Sequence, residues 1–74
     1  MTNHDIEMQP VTSSNIKAIG YEHESLRLRV EFLNGTVYLY RAVPQDTAEA
    51  LLAAPSVGKY FNAFIKGQYS SEAE

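Results

Sequence analysis

Residues 26–33, LRLRVEFL, alternate apolar and charged side chains from Leu26 through Phe32, and the dipeptide Asn34-Gly35 follows at once. Alternation with a period of two marks a strand that has one face on a core and the other in solvent. Asn-Gly is the pair that a two-residue β-hairpin turn prefers, because both central residues of a type I′ turn take positive φ. Residues 36–43, TVYLYRAV, are then the returning strand. No other stretch restricts the fold as much. A two-stranded ribbon is marginal by itself, so the rest of the chain must supply another strand and a cover.

With Asn34-Gly35 as the whole loop, Leu33 faces Thr36, Phe32 faces Val37, Glu31 faces Tyr38, Val30 faces Leu39 and Arg29 faces Tyr40. Opposed residues share a side of the sheet. One side then carries Leu26, Leu28, Val30, Phe32, Val37, Leu39 and Val43, and the other Arg27, Arg29, Glu31, Tyr38 and Tyr40. Two tyrosine rings are expected side by side on a charged, open face. Arg41 alternates onto the apolar side and reaches out at its rim. On this register Tyr38→Ala or Tyr40→Ala costs about 1 kcal/mol of stability, as for a partly exposed strand position.

The cover is also legible. Residues 16–21, IKAIGY, read as a further strand, and EHES, 22–25, as a polar turn. Pro44 suits a first helical turn, and residues 45–54 place Ala48, Leu51 and Leu52 on a short helix that Pro55 ends. Ser56 is a good N-cap. Val57, Tyr60, Phe61, Phe64 and Ile65 follow at i, i+3, i+4, i+7 and i+8, one helical stripe, before Gly67 stops the helix. Without that stripe Leu28, Val30, Phe32 and Leu39 would stay exposed, so it reads as core. The expected architecture is α+β, a three-stranded antiparallel β-meander followed by two short helices packed on one face. Tyr69 is placed to fold back and close the edge.

Charge is unevenly distributed. Asp5, Glu7, Glu72 and Glu74 lie in residues 1–14 and 70–74, which hold no Lys or Arg. Both segments are polar and patternless and are expected as flexible tails around a domain at 15–69. The body between them has six basic and five acidic residues, so the net −3 belongs to the ends. An acidic total therefore does not oppose a polyanionic partner, although the strong basic footprint of a nucleic-acid binder is missing. Seventy-four residues make one domain, which buries roughly 60% of its unfolded surface. No apolar run approaches the roughly 20 residues of a membrane-crossing helix. The N-terminal MTNHDIEMQP lacks the basic start and apolar stretch of a signal peptide. With no cysteine to form disulfides, a cytoplasmic protein is expected.

Catalysis, a metal and a cofactor are not expected. His23 lies in a polar turn with Glu22 and Glu24, too few ligands for a metal, and His4 lies in a tail. Ser13 and Ser14 have no base near them in sequence, and no paired carboxylates sit in an apolar setting. Asn34-Gly35-Thr36 matches a glycosylation sequon that the hairpin turn already explains. Ser56, Gly58 and Lys59 are a candidate phosphate site, because free N–H groups at a helix start attract anions. The simpler reading makes Ser56 an N-cap and Gly58 a point of close approach between helix and sheet. Asn62, on the same helix, can cap or bind.

Three blocks, SSNIKAIGY, LRLRVEFLNGTVYLYRAVP with its central Tyr-x-Tyr, and APSVGKYFNAFIKGQY, together resemble the KTSC family over residues 11–69. That family is a small domain named for its place at the C-terminus of some lysyl-tRNA synthetases, and it also stands alone in short bacterial proteins. The resemblance implies RNA, and tRNA in particular, as a partner, with the family's Tyr-x-Tyr falling on Tyr38 and Tyr40. Local chemistry leaves three uses for these rings. Bases stack on aromatic rings while arginines such as Arg27, Arg29 and Arg41 hold phosphates. Tyr and Arg also anchor protein interfaces, with a partner or a second copy. Tyr–Arg cross-strand pairs stabilise a sheet without any ligand. The expected function is a non-catalytic binding module, for RNA or for protein.

Overall fold

Five antiparallel strands form one sheet in chain order. They are β1 (Met8–Pro10), β2 (Ile16–Glu22), β3 (Arg27–Phe32), β4 (Val37–Tyr40) and β5 (Ser71–Ala73). Between β4 and β5 come α1 (Gln45–Ala53) and α2 (Val57–Tyr60), the latter continued by a π-helical turn, Phe61–Ile65. This is a computed structural model, and it describes residues 7–74. The α+β architecture is the expected one, with five strands rather than three. The additional two come from segments without hydrophobic pattern. β1 pairs with β2, and β5 pairs with β4. Main-chain hydrogen bonds need no particular side chain, so such edge strands leave little trace in a sequence. Residues 1–6, with His4 and Asp5, lie outside the described residues.

The returning strand has a different register from the expected one. The Phe32 N–H donates to the Thr36 carbonyl at 2.8 Å and the Gly35 N–H to the Phe32 carbonyl at 3.0 Å. The loop is therefore Leu33-Asn34-Gly35. Of the Asn-Gly pair only Gly35 has positive φ, 92°, which is a type I turn followed by a left-handed glycine. The Asn34 side chain accepts from the Thr36 N–H at 3.0 Å and supports the turn. One more loop residue moves every β4 side chain to the other side of the sheet. Tyr40 now opposes Leu28, Leu39 opposes Arg29, Tyr38 opposes Val30 and Val37 opposes Glu31. The expectation that Tyr38 and Tyr40 share a face with Arg27 and Arg29 is thus corrected.

Both helices cover the side that carries the tyrosines. The core joins Ile16, Ile19, Leu28, Val30, Tyr40 and Val43 to Ala48 and Leu51 of α1 and to Val57, Phe61 and Ile65. A bulge between Ile16 and Ala18 lets Ile16 and Ile19 both point inward, against simple alternation. Tyr21 also faces inward, and its hydroxyl donates to the Val43 carbonyl at 2.5 Å. Leu26 was expected on the apolar face. Instead it is exposed and left-handed at φ 58°, ending the β2–β3 turn, where its carbonyl accepts from the Val43 N–H at 2.9 Å. Ala42 is left-handed too, φ 60°, which bends the chain so that Val43 enters the core after Arg41 has left the sheet.

The second helical stripe holds only in part. The Lys66 N–H donates to the Phe61 carbonyl at 2.9 Å, a bond that spans five residues. This wider turn advances fewer degrees per residue, so Phe61 and Ile65 remain buried while Phe64 falls short of the core. Phe64 is 56% exposed and leans on Tyr60 at 4.6 Å between ring centroids. Gly67, φ 79°, ends the helix as expected. Among the described residues, no helix is long and apolar enough to cross a membrane.

Four outcomes follow for stability. Tyr40 is 5% exposed, so Tyr40→Ala should cost about 3–4 kcal/mol in urea denaturation. Tyr38→Ala should cost about 1–2 kcal/mol, because its ring is only half-buried. Ala42→Gly should stabilise on the order of 0.5–1 kcal/mol in the same measurement, by relieving a left-handed alanine. Burial, and secondarily Tyr38, raises the Tyr40 hydroxyl above its ordinary pKa of 10.0. Below about pH 10 tyrosine is neutral in both states, and above it the unfolded chain ionises first. Stability should therefore fall as pH rises through the folded-state value. A thermal melt series should show a steeper alkaline loss for the wild type than for Tyr40→Phe.

Candidate functional site

The slip of one residue sorts the side chains that were expected together into two groups. Arg27 and Arg29 stay on the outer side of the sheet, and Arg41 joins them there. Two of the three are ion-paired. The Arg29 Nε lies 2.7 Å from a Glu74 carboxylate oxygen, though not directed as a hydrogen bond, and the Arg41 guanidinium pairs with Glu72. Lys17 pairs with Glu31 at 3.7 Å on the same sheet. Leu39 lies among these groups and is 7% exposed. The outer side is therefore a lattice of opposite charges over a small apolar centre, and its arginines lie across the sheet from the tyrosine rings.

The inner side carries the aromatic constellation. Phe61 meets Phe32 edge-on at 5.6 Å and Tyr40 edge-on at 5.5 Å. Tyr38 stands edge-on to Phe32 at 6.1 Å and tilted to Tyr40 at 6.4 Å. These T-shaped contacts set the positive edge of one ring against the negative face of another. They leave an open groove of about 490 Å³ between the hairpin end and the π-helical turn. Phe32, Tyr38, Tyr40 and Phe61 line it, with Phe32 and Tyr38 the two rings that are only partly buried. Asn15, Asn62, Lys66 and Tyr69 are on its rim.

Each rim residue has a local reason to be there. Asn62 and Lys66 are four apart across the π turn, so both project from the helix beside Phe61. Gly67 then turns the chain and returns Tyr69 against the core cluster, which is the fold-back expected of that residue. Asn15 precedes β2, and its carbonyl accepts from the Leu33 N–H at 2.9 Å, tying this segment to the hairpin loop. The result is an apolar, aromatic floor with amide donors and acceptors and one cation around it. Such a site holds a flat ring by stacking and edge hydrogen bonds.

Two residues of the candidate phosphate site, Ser56 and Gly58, have structural roles. The Ser56 hydroxyl accepts from the Lys59 N–H at 3.4 Å as a helix N-cap. A Cβ on Gly58 would lie 2.9 Å from the Asn15 Oδ1 and 3.1 Å from the Ser13 Oγ. Gly58 thus admits the polar segment before β2, rather than the sheet itself, to the helix. Sequence reasoning assigned Phe32 and Phe61 wholly to the core and gave Lys66 no role. Their spacing carried no signal for the groove, since it depends on the hairpin register and on the π turn.

Comparison with known proteins agrees with the geometry. The chain matches the KTSC domain over residues 12–69. An uncharacterised protein of Stutzerimonas stutzeri strain A1501 is 44% identical over 57 residues, which is 77% of this chain and 80% of that one. A lysine–tRNA ligase of Nostoc sp. PCC 7120 is 48% identical over 59 residues, 80% of this chain but 10% of the ligase. The crystal structure of a KTSC domain protein from Yersinia pestis superposes with a TM-score of 0.89 at 32% identity, covering 95% of this chain and 99% of that one. With its Tyr-x-Tyr at the floor of an aromatic groove and these matches along nearly its whole length, the chain belongs to the KTSC domain family.

Proposed function

We propose that the chain is a non-catalytic binding module whose groove takes an unpaired base of a single-stranded RNA, such as a tRNA loop or end. The observation that supports this reading most is the groove itself, with its aromatic floor and its rim of amides. Unstacked bases are held by aromatic rings and recognised along their edges by amide side chains. Lys66 has no ion pair among the described residues, so it is free to meet the adjoining phosphate. The lysine–tRNA ligase relatives, which carry a similar segment as part of a longer chain, add a partner class to that chemistry.

A second reading has its own support. Lys17, Arg29 and Arg41 are already engaged by carboxylates, so RNA would meet little free positive charge. An aromatic groove with an amide rim equally suits an apolar or aromatic side chain of a partner protein or of a second copy.

The two readings differ in probe and in salt response. Isotope-labelled protein titrated with short single-stranded RNA should show NMR shifts at Tyr38, Asn62, Lys66 and Tyr69. Tyr38→Ala should weaken binding about tenfold or more, the value of one stacked base. The plot of log K against log salt should have a shallow slope, about −0.7 for a single phosphate contact. Shifts confined to Arg27, Arg29 and Arg41 with a steep slope would instead assign RNA to the outer face. Groove shifts with N-acetyl-tryptophanamide and none with RNA would favour the protein reading.

A further inference from the structure

β5 is attached without being packed. Ser71, Glu72 and Ala73 are all exposed, and none belongs to the core cluster. What holds the strand is main chain and charge. Flanking its pairing with β4, the Arg41 N–H donates to the Ser70 carbonyl at 2.9 Å and the Glu74 N–H to the Val37 carbonyl at 2.8 Å. Glu72 and Glu74, two residues apart, reach Arg41 and Arg29 on the outer side. The strand beneath is of the opposite kind, since β4 contributes Leu39 and Tyr40 to the buried residues. The match to the KTSC domain ends at residue 69, so it includes the β4 edge and stops short of the strand that covers it.

We propose that the β4 edge is an acceptor site for an extended acidic segment of a partner protein, and that residues 71–74 are its built-in competitor. Strand addition uses main-chain bonds for affinity and side-chain contacts for choice. Here the choice is a carboxylate at every second residue, facing Arg41 and Arg29. Exposed ion pairs contribute little, and a short strand with no buried side chain opens at low cost. The tail's advantage is local concentration, in the millimolar range for a short tether. A partner must therefore match the charge pattern and add side-chain contacts of its own, since the bonds at Val37 and Arg41 already use the length of β4. This site borders the groove at Ser71, but it uses main-chain pairing and carboxylates rather than ring capture, so it stands or falls independently of the RNA reading.

The test uses the full chain with the tail kept but repelled, E72K/E74K. Hydrogen exchange of the Arg41 amide should accelerate about tenfold or more, with the Val43 amide, bonded to Leu26, unchanged. A synthetic peptide of residues 66–74 should then shift the Val37, Leu39 and Arg41 resonances of the variant and restore protection of the Arg41 amide. Wild type should bind the same peptide about tenfold more weakly, and a peptide with Lys at both Glu positions should not bind. E72Q/E74Q, which removes the attraction without adding repulsion, should fall between. Unchanged exchange at Arg41 would overturn the proposal. So would equal binding of the two peptides, or a variant that becomes a dimer by exchanging tails between copies.

Discussion

Gly35 takes a φ of 92° at the end of a three-residue loop, and most of the structure depends on that. Because side chains alternate with a period of two, loop length decides which half of β4 enters the core. A two-residue loop would bury Val37 and Leu39 and present the tyrosines beside Arg29. The three-residue loop buries Tyr40 opposite Leu28 and sets Tyr38 opposite Val30. Phe61 then finds two rings edge-on, Phe32 and Tyr40. The aromatic cluster, the groove above it and the separation of tyrosines from arginines all follow from one additional residue in a turn.

The second constraint is the π turn over Phe61–Ile65. A regular α-helix would have brought Phe64 toward the sheet along with Phe61 and Ile65. The wider turn keeps two of these three in the core and releases the third. It also places Asn62 and Lys66 over the groove. Irregular helical turns cost hydrogen-bond geometry, and they recur where a helix must present side chains for binding. In a domain this small, the same helix both closes the core and furnishes half of the candidate site.

The two faces of the sheet consequently do different things. The inner face is aromatic and amide-rimmed, suited to a planar group. The outer face is a set of ion pairs whose contribution to stability is modest, since half of the groups are exposed and the others only partly buried. Arginines engaged there are poor phosphate ligands, and this shapes any RNA complex toward stacking rather than charge. The edge strands add a third element, joined by main chain and, at β5, by carboxylates, and carrying no core residue.

The sequence alone determined the elements that rest on local pattern. Alternation over 26–32 made β3, Ser56 capped the second helix, Gly67 ended it, and Leu28, Val30, Val43, Ala48, Leu51, Val57 and Ile65 declared themselves as core. The KTSC resemblance was legible in the same residues. It could not determine the face of β4, because Val37 and Leu39 on one side and Tyr38 and Tyr40 on the other are both acceptable to a core. Asn-Gly is compatible with either loop length. That choice was made by tertiary packing, where a ring cluster around Phe61 outweighs the burial of Val37 and Leu39 in the main core. The edge strands and the groove were equally out of reach, since backbone pairing and the space between two elements are properties of the assembled fold.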